Sequence, residues 1–114
     1  MAIAFIVTFS QDTLTGQNID NIVNSYVQFT DLKKELEKLK LDRTVIIKVT
    51  LNALKTLSIW NNQSDLDSWI TFTESQKIQE IYNQIAKHGI NRVTQTIVVD
   101  DKNLEQFIQD FLNS

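Results

Sequence analysis

The chain has 114 residues, 42% of them hydrophobic and 22% charged, with 11 basic and 14 acidic side chains for a net charge of −3. That length fits one domain over residues 1–114, the composition is that of a folded globular protein rather than a disordered or membrane-spanning one, and the acidic balance lacks the dense positive field that duplex nucleic acid requires. The absence of cysteine excludes disulfides, thiolate metal sites and thiol nucleophiles, and makes the cytoplasm the expected compartment.

The opening run Ala2-Ile3-Ala4-Phe5-Ile6-Val7 has no basic flank and falls far short of the roughly 18–20 apolar residues that span a bilayer. Residues 2–10 instead predict a strand that is apolar on both faces, with Ile3, Phe5, Val7 and Phe9 on one and Ala4 and Ile6 on the other. Such a strand needs cover on both sides. A loop over 11–17, containing Gly16, leads to a helical pattern through Ile19, Ile22, Val23, Tyr26 and Val27 that resumes at Leu32, Leu36 and Leu39. One bent helix over 18–40 is expected, with the Lys33–Lys40 run a solvated helix end, because its lysines alternate with glutamates and leucines.

Asp42-Arg43 predicts a turn, and residues 44–50 and 54–60 predict two strands joined as an antiparallel hairpin through Leu51-Asn52-Ala53; without an Asn-Gly pair the turn type stays open. Ser64, with Asp67 three residues on, predicts the N-cap of a short helix carrying Leu66, Trp69 and Ile70. Thr73 with Gln76 repeats that signature for a helix whose stripe is Ile78, Ile81, Tyr82 and Ile85, and Gly89 after His88 suits its C′ position. Residues 92–99 predict a fourth strand. Asp100-Asp101 then predict the cap of a terminal helix bearing Leu104, Phe107, Ile108, Phe111 and Leu112.

This βαββαβ order followed by a helix predicts an α+β fold, a split βαβ with a four-stranded antiparallel sheet and two helices on one face. Because Val45-Ile46-Ile47 and Ile97-Val98-Val99 are also apolar, the second face needs cover as well, from the terminal helix or from a second protomer. A homodimer is the expectation.

The segment from Leu54 through Trp60 and Asn61-Asn62-Gln63-Ser64 to Trp69 resembles the antibiotic-biosynthesis-monooxygenase-like family of dimeric α+β barrels. There a strand ends in tryptophan, polar residues cap a short helix, and a second aromatic sits on that helix. The resemblance implies a ferredoxin-like protomer, a barrel closed by the partner's sheet, and a ligand pocket between helices and sheet. Family members include oxygenases that use neither metal nor flavin, so no cofactor is implied. The nine-residue step from Trp60 to Trp69 is similar to that in the family's haem-degrading monooxygenases, where Trp69 matches the pocket tryptophan and Trp60 a structural one. Their first-strand asparagine has no counterpart, the corresponding face here being Phe5, Val7 and Phe9, and their histidine ligand would fall near Gln79.

Among chemical candidates, His88 is the sole side chain of near-neutral intrinsic pKa, the obvious proton shuttle or metal ligand, but its place before Gly89 is the stronger reading, a helix end where a histidine meets the last carbonyls. One histidine without cysteine makes no transition-metal site. Asp65/Asp67 and Asp100/Asp101 sit at helix starts, where acids serve as caps and dipole partners, and no serine has a nucleophile-elbow context. Trp69, Tyr26 and Tyr82 are aromatics able to line a pocket and orient a planar hydrophobic molecule. The acids flanking Trp69 argue against stacking on single-stranded nucleic acid. The expected function is therefore small-molecule binding with cofactor-independent oxygenation, the alternative being a non-catalytic dimeric sensing or interaction domain. No catalytic residue is nominated.

Overall fold

The computed structural model describes the backbone of residues 1–27, 41–73 and 76–114, and the side chains of 1–22, 46–71, 79–80 and 82–114. Four strands, β1 (Ala2–Ser10), β2 (Leu41–Val49), β3 (Ala53–Trp60) and β4 (Asn91–Val99), form one antiparallel sheet in the order β2-β3-β1-β4. β1 is central because it is the strand that is apolar on both faces. Helix α1 (Gly16–Val27) follows β1, α2 (Gln63–Thr73) and α3 (Gln76–Lys87) lie between β3 and β4, and a short 3-10 turn, Asp101–Asn103, leads into α4 (Leu104–Asn113). The expected continuation of the first helix, its bend at Thr30-Asp31 and the lysine run lie outside the described residues.

The register assigns the faces. Ile3, Phe5, Val7 and Phe9 stand opposite Trp60, Ser58, Thr56 and Leu54 of β3 and opposite Val98, Thr96, Thr94 and Arg92 of β4. On this side Phe9, Leu54, Leu14, Ile22, Ile85 and Ile90 form one buried cluster, and Ile3, Phe5, Trp60 and Leu66 a second. On the other side Ala2, Ala4, Leu57, Ile59 and Val99 meet Leu104, Ile108 and Phe111 of α4. The terminal helix thus covers part of the second face, and alanine at residues 2 and 4 gives it room. At roughly 1.5–3 kcal/mol for each large apolar side chain enclosed, both layers contribute substantially to stability. Lys48 of β2 donates to the Phe111 and Ser114 carbonyl oxygens, meeting the negative end of the α4 dipole.

Several local expectations are corrected. Asp42-Arg43 is not a turn, since both residues lie within β2, which reaches back to Leu41 by shifting register between Leu41 and Arg43 and again between Arg43 and Ile46. Asn62, not Ser64, caps α2. Its side-chain oxygen accepts the Asp65 backbone N–H at 2.9 Å while its amide donates to the Asp65 carboxylate at 3.2 Å. The expected Thr73 cap of α3 lies outside the described side chains; its backbone closes α2. Asp100 makes no side-chain cap, accepting only through its backbone carbonyl from Asn103, and Asp101 pairs with the N-terminal ammonium of Met1 at 2.8 Å.

The β2–β3 turn closes with Thr50 N–H donating to the Ala53 carbonyl, and it uses no positive-φ residue, so it is not one of the primed types. Its free carbonyls serve the next layer, because Gln11 and Leu14 donate their N–H groups to Asn52 and Leu51. Thr15 then caps α1 by accepting the Asn18 N–H at 3.2 Å.

Gly89 ends α3 at φ +77°, as the sequence predicts, and a Cβ there would meet only Gln11 Nε2 at 3.6 Å. Gly89→Ala is therefore expected to cost roughly 1–2 kcal/mol through backbone strain alone. Gly16 has ordinary helical φ and open space around it, so Gly16→Ala is expected to add about 0.4–1 kcal/mol by restricting the unfolded chain. Urea melts of the two variants check the opposite signs.

Candidate functional site

The helix-covered face holds the site candidates. Trp60 closes β3 and is almost wholly buried, its indole N–H donating to Ser58 Oγ at 2.9 Å. Ser58 in turn donates to the Phe5 carbonyl across the strand pair at 3.4 Å. Nine residues later Trp69, on α2, stacks on Trp60 with ring centroids 6.2 Å apart and planes inclined by 28°. Trp69 and Val7 are half-buried, and both pack against both apolar clusters, so they mark the seam between them.

Of the other candidates, Phe5 and Phe9 lie within the clusters beneath that seam, Phe9 with no exposed surface. Tyr82, half-buried on α3, packs against the cluster that holds Phe9. The Tyr26 side chain lies outside those described. His88 is exposed past the end of α3, and it is its backbone carbonyl that is engaged, accepting Gln11 Nε2 at 2.9 Å. Gln11 also accepts from Asn18, and Asn18 from Asn21, so an amide chain ties α1 to the end of α3. Structure thus gathers Trp69, Val7 and Tyr82 around Phe5 and Phe9, with His88 at the surface.

Three further residues escaped the sequence reading. The register sets Arg92, Thr94 and Thr96 of β4 on the same face as Phe9, Val7 and Phe5, and all three are exposed on this edge strand. The Arg92 guanidinium sits 3.7 Å above the centre of the Tyr82 ring, a cation–π contact. Alternation in Arg92-Val93-Thr94-Gln95-Thr96 was the available signal, but only strand pairing says which row faces the helices. A separate open groove of about 390 Å3 lies between the end of β4 and α4, lined by Ile97, Val99, Phe107, Asn103, Gln106 and Asp110. It shares no residue with the Trp69 seam. Among the described residues no three histidine, aspartate or glutamate side chains converge as a metal site would need, and no helix is long and apolar enough to cross a membrane.

This architecture has counterparts among solved structures. A dimeric protein of unknown function from Bacteroides fragilis is 12% identical over 86% of this chain and 96% of that one, with a TM-score of 0.53. The fold is ferredoxin-like. Antibiotic-biosynthesis-monooxygenase-like proteins share it. SnoaB, a cofactor-independent oxygenase from Streptomyces nogalater, aligns over 88% of this chain and 94% of its own at 6% identity and a TM-score of 0.52. A candidate antibiotic biosynthesis monooxygenase from Deinococcus radiodurans aligns over 89% and 94% at 7% identity and a TM-score of 0.58. No protein-family model and no curated protein matches the sequence. The likeness is one of fold, and the chemistry rests on this chain's own residues.

Proposed function

We propose that this protein is a homodimer that binds a planar hydrophobic small molecule against Trp69, in the seam between the helices and the sheet. The observation carrying this reading is the placement of Trp69: half-buried across two apolar clusters, its ring held by the buried Trp60. A rigid, half-buried aromatic backed by a second ring offers stacking area at little entropic cost. The dimer is supported by apolar strand residues left exposed, Ile47, Val49 and Val98 on the helix-covered face and Val93 on the face of α4, and by the dimeric Bacteroides fragilis neighbour. Cofactor-independent oxygenation of the bound molecule draws its support from the fold shared with SnoaB. In such a reaction the ligand's own stabilised carbanion would reduce oxygen, with the apolar floor of Val7 and Phe5 excluding water.

Trp69→Ala is expected to weaken binding of a fluorescent naphthalene probe at least tenfold while the protein remains folded, as an emission titration beside a thermal melt would show. Unchanged affinity would contradict the placement of the site. Oxygen uptake with an electron-rich hydroquinone then separates the two functional readings. The non-catalytic sensing alternative is favoured by the enclosed, hydrocarbon character of Phe5 and Phe9 and by the surface position of His88, and it predicts saturable binding without oxygen consumption.

A further inference from the structure

Arg92 has a guanidinium held over the Tyr82 ring at 3.7 Å, yet among the described residues it meets no carboxylate. The contact fixes the fork without neutralising it, since a ring face attracts the cation and leaves the N–H edges free to donate. Arg92 stands opposite Phe9 on the helix-covered face, and Tyr82 and Trp69 pack against the same cluster around Phe9. Thr94 and Thr96 continue the row, one opposite Val7 and one opposite Phe5, with exposed side chains. A positioned cation and two hydroxyls thus border the apolar aromatic seam along β4. A neutral hydrocarbon would use none of the three. A ring bearing an acidic group uses the cation, with its plane on Trp69, its anion in the Arg92 fork and the neighbouring Thr94 hydroxyl donating to a second lone pair of the same group.

We infer that Arg92 determines ligand specificity and that the ligand is a planar aromatic acid, a carboxylate or phenolate whose charge lies at the rim while its ring enters the seam. The inference rests on the Trp69 reading and adds the charge of the ligand. The test compares 2-naphthoate with 2-naphthamide, which match in ring and shape and differ in charge, by calorimetric titration of the wild-type protein, Arg92→Gln, Arg92→Lys and Trp69→Ala.

The wild type is expected to bind naphthoate about tenfold more tightly than naphthamide, with an advantage that shrinks as salt is raised. Arg92→Gln weakens naphthoate far more than naphthamide and so removes the advantage, Arg92→Lys restores part of it as a point charge without the fork, and Trp69→Ala weakens both probes together. Equal binding of the two probes by the wild type, or an advantage that survives Arg92→Gln, would overturn the role of Arg92 while leaving the Trp69 site standing. Binding of neither probe would overturn both. Arg92 is exposed, so its variants are expected to melt within a few degrees of wild type, which a circular dichroism scan verifies alongside.

Discussion

Trp60→Ala is expected to destabilise the protein by about 3–5 kcal/mol, the largest loss from any single truncation on the helix-covered face. Trp60 is 1% exposed, packs with Ile3, Phe5 and Leu66, and carries Trp69 on its ring face. Removing the indole opens a cavity that a β-sheet floor cannot collapse to fill. The Ser58 hydroxyl also loses the donor it accepts at 2.9 Å. Trp60→Phe separates these contributions. It keeps most of the volume and the stack while deleting the hydrogen bond, and is expected to cost about 1–2 kcal/mol. Chemical denaturation of both variants checks the ratio. If Trp60→Ala cost no more than 1 kcal/mol, the indole could not be the fixed backing on which Trp69 depends.

Phe111→Ala is the second large effect, expected near 3 kcal/mol and expressed on the opposite face. Phe111 is buried with Leu104 and Ile108 against Ala2, Ala4, Leu57, Ile59 and Val99, and α4 reaches this face from the last strand through only a short 3-10 turn. Its anchor to the sheet is that apolar stripe together with Lys48 at its last carbonyls. The loss should fall at the low end of the range for phenylalanine truncation, because a terminal helix can shift to close part of the void. The backbone amides of α4 are then expected to exchange faster than those of β1 in hydrogen-exchange measurements, as befits a locally loosened element. Uniform acceleration across the sheet would mean instead that α4 and the sheet unfold only together.

How far the residues declared this structure in advance varied with the kind of signal. Strand β1, Tyr82 and Ile85 of α3 and the Leu104-Ile108-Phe111 stripe of α4 were legible because periodicity survives any choice of neighbour, whereas Leu112 proved exposed and the side chains of Ile78 and Ile81 lie outside those described; the sheet order follows from a double-faced β1 taking the centre. The α2 cap was misplaced by two residues because Asn62 and Ser64 are both good caps. The choice between them depends on the direction in which the chain leaves Trp60, which is a tertiary matter. Asp42 and Arg43 have poor strand propensity, and pairing with β3 overrode it through two register shifts. The tryptophan pair was visible as a nine-residue step. The stack itself, with one ring buried and the other half-exposed, needed the helix to fold back over the strand. Arg92 was invisible as a site residue, since only the pairing of Phe9 with Arg92 and the arrival of Tyr82 from α3 give it a role.

The central claim is that a dimer of this chain takes up a planar apolar molecule at Trp69, and native mass spectrometry in the presence of 2-naphthoate tests it most directly. A species of twice 13.2 kDa that gains one naphthoate per protomer, with uptake lost in Trp69→Ala while the dimer persists, is the predicted spectrum. A 13.2 kDa monomer that gains nothing at saturating naphthoate would contradict both the assembly and the site.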